Sequence, residues 1–213
     1  MLQLWYQKPA TYWEEALPLG NGRLGAMVWS GVDHETLSLN EDSLWSGYPK
    51  CADIPGAVEY YKQAQQLARE KKYSEAQELL EDMFLSDYTQ SYLPLADLKL
   101  ELEHPQGDVE NYRRSLSLED AISRLTYTIG GTTYTREAFV SAPDQAIVLR
   151  IQADKPGSIT LKARFDCRLR SSCTIEDGRL VLDGVAPSQV DPSYLGETPN
   201  PIVYEEDPQK KGM

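Results

Sequence analysis

Residues 39–47, with the sequence LNEDSLWSG, carry the side chains best suited to binding chemistry. An amide (Asn40), two carboxylates (Glu41 and Asp42), a hydroxyl (Ser43) and an indole (Trp45) fall within this one stretch. Planar polar groups beside an aromatic ring suit sugar recognition, because the ring covers the apolar face of a pyranose while the polar groups bind its hydroxyls. The same residue types also cap loops. The stretch is therefore a candidate binding loop, with a purely structural loop as the alternative.

A glycine motif, Gly20-x-Gly22-x-x-Gly25, has the spacing of a dinucleotide-binding fingerprint. That fingerprint holds a phosphate only when it follows a buried strand and opens a helix. The segment before it, YWEEALP, is charged and ends in a proline, and the segment after it, LGAMVWSG, has the composition of a strand. The motif therefore predicts a tight turn into a strand, with Gly20 and Gly22 free to take positive φ, and no nucleotide cofactor.

Acidic residues occur in pairs along the chain, which raises the question of general acid–base catalysis. The groups are Glu14-Glu15, Asp33-His34-Glu35, Glu41-Asp42 and Glu205-Glu206-Asp207. Neighbours on a strand point to opposite faces, so a solvated surface is the expectation for each group. His34 has the pKa range of a general base, but no partner nucleophile can be named for it. The residues themselves thus assign no catalytic group to this chain.

The cysteines and histidines do not form a metal-binding pattern. Cys51, Cys167 and Cys173 are odd in number, and together with His34 and His104 they show no zinc-type spacing. We expect free thiols, no metal and no cofactor.

The charge balance bounds the partners that the chain can have. Of its 213 residues, 33 are acidic and 21 are basic, which gives a net charge of -12. Such a chain repels phosphate backbones, so we expect no nucleic-acid partner. No stretch approaches the roughly 20 apolar residues of a membrane helix, and MLQLWYQKPA lacks the features of a signal peptide. The sequence as it stands predicts a cytoplasmic chain that does not bind a membrane, and it does not fix the localisation.

The periodicity of apolar residues predicts two kinds of element. Residues 57–86 have a helical period in two stripes and predict a helical hairpin. From residue 95 onward the period changes to two, strand after strand, with hairpin turns at Gly130-Gly131 and Asp177-Gly178. Repeated alternation indicates sheets buried on one face. The prediction is a mainly β, antiparallel sandwich over residues 1–213 as a single domain, with the helical hairpin inserted.

All four tryptophans fall in the first quarter of the chain, at positions 5, 13, 29 and 45. Such a density of large rings usually packs a core, and less often lines a sugar-binding surface. Core packing is the expectation here.

The segment 185–213 is irregular and contains five prolines. A loop of that length is unusual in a compact domain. It indicates either a disordered tail or a chain that stops before its remaining elements, and we favour the second.

Six segments of the sequence together resemble a known family. The segments that carry the resemblance are LWYQKPATYWEEALPLGNGRLGAMVWSGVDHETLSLNEDSLWSG, YLPLADL, YRRSLSLEDA, YTREAFVSAPDQAIVLRI, ADKPG and APSQVDPSY. Together they are similar to the N-terminal β-domain of glycoside hydrolase family 95, the inverting α-L-fucosidases. The likeness covers nearly the whole chain, in order and with consistent spacing.

The resemblance implies a fold and a parent activity. In that family an antiparallel super-sandwich precedes a helical linker and an (α/α)6 barrel, which carries the catalytic residues. There a glutamic acid protonates the leaving oxygen, and an aspartate with help from an asparagine activates water on the opposite face. None of those segments lies in this sequence, so the resemblance assigns no catalytic residue to it. It implies an N-terminal domain fragment that meets an oligosaccharide substrate through a catalytic domain, with its last strands beyond Met213.

Three roles remain open for this chain. The first is a non-catalytic module of a glycosidase, with Asn40, Glu41 and Trp45 at the rim of the substrate cleft and Arg23 at a domain interface. The second is a free-standing carbohydrate-binding module. The third is protein docking through the helical hairpin, which resembles one tetratricopeptide unit but has no second copy. A sandwich without its last strands also predicts self-association of the isolated chain.

Overall fold

The computed structural model describes residues 2–49, 54–85 and 89–207. The chain divides into two compact units, one of Met1–Trp45 with Tyr92–Ala186 and one of Ser46–Ser91 with Pro187–Gly212. Cys51, one of the three expected free thiols, lies outside the described residues, whereas Cys167 and Cys173 are free. Whether the two units make up the single domain expected from the sequence stays a prediction.

The first unit consists of strands in chain order. They are β1 (Gln3–Tyr6), β2 (Leu17–Gly20), β3 (Leu24–Val28), β4 (His34–Glu41), β5 (Ala96–Glu103), β6 (Glu110–Ser117), β7 (Ser123–Ile129), β8 (Thr132–Ser141), β9 (Ala146–Ala153), β10 (Thr160–Asp166), β11 (Arg170–Glu176) and β12 (Arg179–Val185). Within the described residues they form two five-stranded sheets and one hairpin. Sheet A has the order β1-β6-β7-β8-β9, and sheet B has the order β10-β5-β4-β3-β2. Every pairing is antiparallel.

The core lies between the two sheets, which confirms the predicted sandwich. One buried cluster joins leucines and a valine of sheet B to residues of sheet A; its members are Leu17, Leu19, Val28, Leu37, Leu116 and Ala138. Inward positions alternate with outward ones along β7 and β8, as a sheet buried on one face requires. The alternation of apolar and polar residues in the sequence therefore corresponds to strands of the structure.

Both predicted hairpin turns are present. Gly130 and Gly131 have φ values of 56° and 70° and join β7 to β8, and Asp177 and Gly178 have φ values of 49° and 75° and join β11 to β12. Two successive residues with positive φ match the right-handed twist of the flanking strands. The two residue pairs that the sequence predicts as turns thus close the hairpins.

The glycine motif opens a strand, as its composition predicts. The segment after it is β3, which pairs with β2. Gly22 takes φ 93° in the turn between them. The expectation of positive φ at Gly20 is wrong, because Gly20 lies within β2 as the cross-strand partner of Gly25. The turn is instead stabilised by Asn21, whose side-chain oxygen accepts hydrogen bonds from the N–H groups of Arg23 (3.0 Å) and Leu24 (2.8 Å).

The tryptophans do not form the core, so the expectation of core packing is wrong. Trp5, Trp13 and Trp45 are exposed, and Trp29 is only half-buried. The inward positions of the strands are occupied instead by aliphatic residues and by Tyr127 and Tyr134, whose rings stack with centroids 5.3 Å apart.

Glu35 also departs from expectation, since it lies in the core rather than in solvent. Its carboxylate accepts hydrogen bonds from the N–H groups of Ser30 (2.8 Å) and Thr36 (3.0 Å) and forms an ion pair of 3.0 Å with Arg136. Both charged side chains are almost fully buried. Glu35 is buried because it shares the inward face of β4 with Leu37.

The second unit contains α1 (Ala57–Arg69) and α2 (Tyr73–Met83), which form the hairpin predicted for residues 57–86. It also contains two strands, β13 (Gln189–Val190) and β14 (Ile202–Val203), which are each two residues long and pair with each other. Apart from a 3-10 turn at Ser193–Leu195, the rest of the described part of 186–213 is irregular. None of the described helices has both the length and the apolar character needed to span a membrane.

Candidate functional site

The structure brings the three candidate cleft residues together around Tyr92. Strand β4 ends at Glu41, and the following loop returns at Trp45, which pairs with Tyr92 in an isolated β-bridge. The rings of Trp45 and Tyr92 are 5.2 Å apart between centroids, tilted by 55°. The side-chain amide of Asn40 donates a hydrogen bond to the Tyr92 hydroxyl, which donates in turn to the backbone oxygen of Glu41 at 3.1 Å. Tyr92 thus holds the loop in place through its ring and its hydroxyl, a role that the spacing of residues in the sequence does not reveal.

The indole of Trp45 is fixed without being buried. Its Nε1 donates to the backbone oxygen of Asp42 at 2.9 Å, while the ring itself stays exposed. An exposed ring with a fixed orientation is a suitable platform for the apolar face of a ligand, because little side-chain entropy is lost on binding.

Glu41 is held as a carboxylate. It accepts hydrogen bonds from the hydroxyl (2.7 Å) and the N–H (2.9 Å) of Ser43, and its second oxygen pairs with Nε of Arg23 at 2.9 Å. The Ser43 hydroxyl first, then the Ser43 N–H and Arg23, lower the pKa of Glu41 below its ordinary value. A carboxylate with these donors is an acceptor rather than a proton donor, so Glu41 is unsuited to act as a general acid.

Arg23, the candidate interface residue, spans three segments of the first unit. Its Nε binds Glu41, and its Nη1 lies 3.4 Å from the side-chain oxygen of Gln145 in the turn between β8 and β9. Its side chain is 54% exposed. The exposed guanidinium is available to a further partner, and its role at an interface stays a prediction.

A groove runs along the outer face of sheet B beside this loop. One cavity of about 540 Å³ adjoins Asn40 and Tyr92, and a second of about 420 Å³ continues it toward β5 and β10. Trp13, Ser38 and Pro94 line both cavities. Trp29, Asp97, Asp166 and Arg168 line only the second. The sequence did not single out Trp13, Asp97, Asp166 or Arg168 as neighbours, because they come from elements that are far apart along the chain.

The two histidines lie apart from the candidate loop. His34 is exposed at the start of β4, away from this loop. His104 instead lies between the carboxylate of Asp33 and the hydroxyl of Tyr127, each at 2.9 Å. Among the residues that the structure describes, no three His, Cys, Asp or Glu side chains are close enough to hold a metal ion.

These features define an antiparallel β-sandwich domain with a groove of aromatic and polar side chains on one outer face. The chain belongs to the family described as glycosyl hydrolase family 65, N-terminal domain, whose family model matches residues 4–206.

Curated relatives point to one kind of glycosidase. The chain is 39% identical over 171 residues to "Alpha-L-fucosidase 2" of Arabidopsis thaliana, covering 79% of this chain and 20% of that protein. It is 33% identical over 168 residues to "Probable alpha-fucosidase A" of Aspergillus niger, covering 71% and 20%, and 30% identical over 162 residues to the protein of the same name in Aspergillus oryzae, covering 70% and 21%. The chain therefore spans about a fifth of the length of the curated relatives it matches.

Proposed function

We propose that this chain is the N-terminal β-sandwich domain of an inverting α-L-fucosidase of glycoside hydrolase family 95, and that the whole protein hydrolyses terminal α-L-fucosyl linkages. The observation that carries the proposal is the match to three proteins named as α-fucosidases, each over about a fifth of its length. The match to a glycosyl hydrolase N-terminal domain over residues 4–206 supports the same placement.

Within such an enzyme the chain has a supporting role. In the part of the chain that the structure describes we assign no acid and base pair across a cleft of the kind that an inverting glycosidase needs, and Glu41 is held ionised by Ser43 and Arg23. The loop of Asn40, Glu41 and Trp45 is instead suited to the rim of a substrate cleft, because it presents a fixed ring beside fixed polar groups.

The coding DNA downstream of the codon for Met213 provides the test. We expect an in-frame continuation long enough for a catalytic domain, and the longer protein is expected to hydrolyse 4-nitrophenyl α-L-fucopyranoside. Nuclear magnetic resonance of the first product should show β-L-fucose, because inversion changes the anomer. The 213-residue chain assayed alone serves as the control and should release no product. A stop codon at that position, or a longer protein inactive on α-L-fucosides, contradicts the proposal.

A free-standing carbohydrate-binding module is the second candidate. The groove beside Trp13 favours it, since an exposed indole next to polar side chains is what such modules use. A stop codon after Met213 would place this candidate first.

A protein-docking role of the helical hairpin is the third candidate. Large apolar side chains are exposed on it, namely Val58, Tyr61, Tyr73, Phe84 and Leu85. Aspartate substitutions at Tyr61 and Tyr73 should then abolish capture of a partner while the far-ultraviolet circular dichroism stays unchanged. Unchanged capture would contradict this role.

A further inference from the structure

We propose that the part of the groove between Trp13 and Arg168 is a second, non-catalytic sugar site that binds a neutral pyranoside. It lies on the outer face of sheet B and extends away from the loop of Asn40, Glu41 and Trp45. The inference rests on the carbohydrate-binding candidate and deepens it by naming the binding residues and the class of ligand, and it requires no fucosidase activity of a longer protein.

The first argument is the aromatic wall. Trp13 begins a single 3-10 turn, Trp13–Glu15, and its side chain is 55% exposed. The turn is fixed by the carboxylate of Glu15, which accepts hydrogen bonds from the N–H (2.8 Å) and hydroxyl (3.1 Å) of Thr11. The chain thus holds a large apolar ring in solvent on an ordered turn. An exposed indole held on an ordered turn is a surface on which the apolar face of a sugar ring can stack.

A second indole, that of Trp29, also lines the site. Trp29 follows β3, and its Nε1 donates to the hydroxyl of Ser38 on β4 at 3.1 Å. That bond fixes the ring plane against the sheet. Trp13 and Trp29 therefore line one cavity of about 420 Å³.

The third argument is a pair of carboxylates that the sheet places directly opposite each other. Asp97 on β5 and Asp166 on β10 are cross-strand partners. Like charges in that arrangement are destabilising. Lys99 neutralises Asp97 through an ion pair of 2.9 Å. Within the described residues neither the side chain of Asp166 nor that of Arg168 makes a hydrogen bond or an ion pair, so the carboxylate and the guanidinium are available to a ligand in the same cavity.

These groups define the chemistry of the ligand. Two carboxylates accept hydrogen bonds from adjacent hydroxyls, the Arg168 guanidinium donates to a hydroxyl or ring oxygen, and the indoles cover an apolar ring face. A pyranoside supplies all three. We assign a neutral pyranoside, because Lys99 and Arg168 balance the charges of Asp97 and Asp166 at the site, while the net charge of -12 on the chain repels an anionic sugar.

The test is titration of the 213-residue chain with the methyl glycosides of α-L-fucose, β-D-galactose and α-D-glucose, followed by calorimetry and tryptophan fluorescence. We expect saturable binding of at least one, with quenching of fluorescence. Trp13→Ala and Asp166→Asn should each weaken it by about tenfold or more, because one removes the stacking surface and the other a charged acceptor.

Each variant has a matched control. Trp5→Ala removes an indole that is 50% exposed but lies on β1 of sheet A, against Arg113. Asp183→Asn removes one exposed carboxylate from β12. Both controls should leave affinity within about twofold, since neither residue lines the groove. Asp166 is an exposed surface residue, so its amide variant is expected to fold, and circular dichroism verifies this for every variant.

Three results would overturn the proposal, two of them measured on the 213-residue chain and one on the longer protein. One is the absence of saturation with all three glycosides up to about 100 mM, which lies well beyond the millimolar range of weak sites. Another is unchanged affinity in both Trp13→Ala and Asp166→Asn. Binding by the 213-residue chain that is lost in a longer, fucoside-hydrolysing protein would also overturn it, since the groove would then be a domain interface. Hydrolysis of α-L-fucosides is measured in a separate assay, so failure of the fucosidase proposal is distinguishable from failure of the sugar-site proposal.

Discussion

Gly25 and Asn40 form a cross-strand pair between β3 and β4, and the side-chain amide of Asn40 lies where a Cβ on Gly25 would be. The absence of a side chain at Gly25 lets Asn40 lie across β3 and reach the hydroxyl of Tyr92. The last glycine of the motif is thus a packing residue that positions the candidate loop.

Gly25→Ala is expected to destabilise the fold by about 1–3 kcal/mol, because an added methyl group has no room and displaces Asn40. Chemical denaturation measures the change. Gly20→Ala is the matched control: its Cβ would meet only the backbone oxygen of Leu24, at 3.3 Å. We expect a smaller effect there, and equal effects at both positions would contradict the packing role.

Glu41 is expected to titrate below its ordinary pKa of 4.5. The carboxylate bonds therefore add stability that is present above the unfolded-state pKa and is lost as pH falls through the lower folded-state value. Carbon-detected nuclear magnetic resonance of the side-chain carboxyl gives the titration curve. Ser43→Ala should raise the pKa of Glu41 more than Arg23→Gln, since the Ser43 hydroxyl is the largest cause. A pKa at or above 4.5 in the unmodified chain would contradict this account.

The buried ion pair between Glu35 and Arg136 gives a third prediction. Glu35→Gln should cost about 3–5 kcal/mol of unfolding free energy, because it leaves the Arg136 guanidinium buried without its counter-charge. Glu137→Gln breaks the more exposed pairs with Arg124, at 2.8 Å, and Arg150, at 3.9 Å, and should cost no more than about 1 kcal/mol. Denaturation midpoints of the two variants make the comparison, and a similar loss in both would count against a special role of the buried pair.

Trp45→Ala in the longer protein should reduce kcat/KM on α-L-fucosides, by about tenfold if the indole contacts substrate. The reduction is expected mainly in KM, because the ring binds rather than reacts. Trp5→Ala is the control, as Trp5 lies on sheet A. Unchanged kinetics together with unchanged stability would remove Trp45 from the cleft.

Self-association of the 213-residue chain is the fifth prediction. Every residue of β11 is exposed, and Ile175 within it is 79% exposed, which leaves apolar surface uncovered. Sedimentation should show concentration-dependent association that strengthens with salt, because salt screens the net charge of -12. Ile175→Lys should weaken it. A monodisperse monomer at all concentrations would contradict the prediction.

Local patterns in the sequence predicted the helices, strands and turns well, because the periodicity of apolar residues and the residue pairs with positive φ depend on neighbours in the sequence. The helical hairpin and the turns at Gly130 and Asp177 are examples. The candidate loop was recognisable for the same reason: Asn40, Glu41 and Trp45 are close in sequence. Tyr92 was not, because its place beside Trp45 depends on a pairing across 46 intervening residues.

The wrong expectations have physical causes. Glu35 was assigned to solvent from its residue type, although the period of two places it on the same face as Leu37. Arg136 shares the inward face of β8 with Tyr134 and Ala138 in the same way. An acid and a base at inward positions of two strands are thus a usable signal for a buried ion pair. The tryptophans were misplaced because residue type gives only average burial. Trp5 lies on the edge strand β1, and the other three lie in a turn or a loop outside the strands.

The pairing of β1 with β6 bears on how the chain is made. Gln3 is the cross-strand partner of Ser117, so the first strand has no place in a sheet until residues 110–117 have been synthesised. At roughly 5–20 residues per second, that interval is about 6–23 s of translation. During this time Leu4, Trp5 and Tyr6 have no strand partner, so β1 is expected to join sheet A only after β2, β3, β4 and β5 have been synthesised.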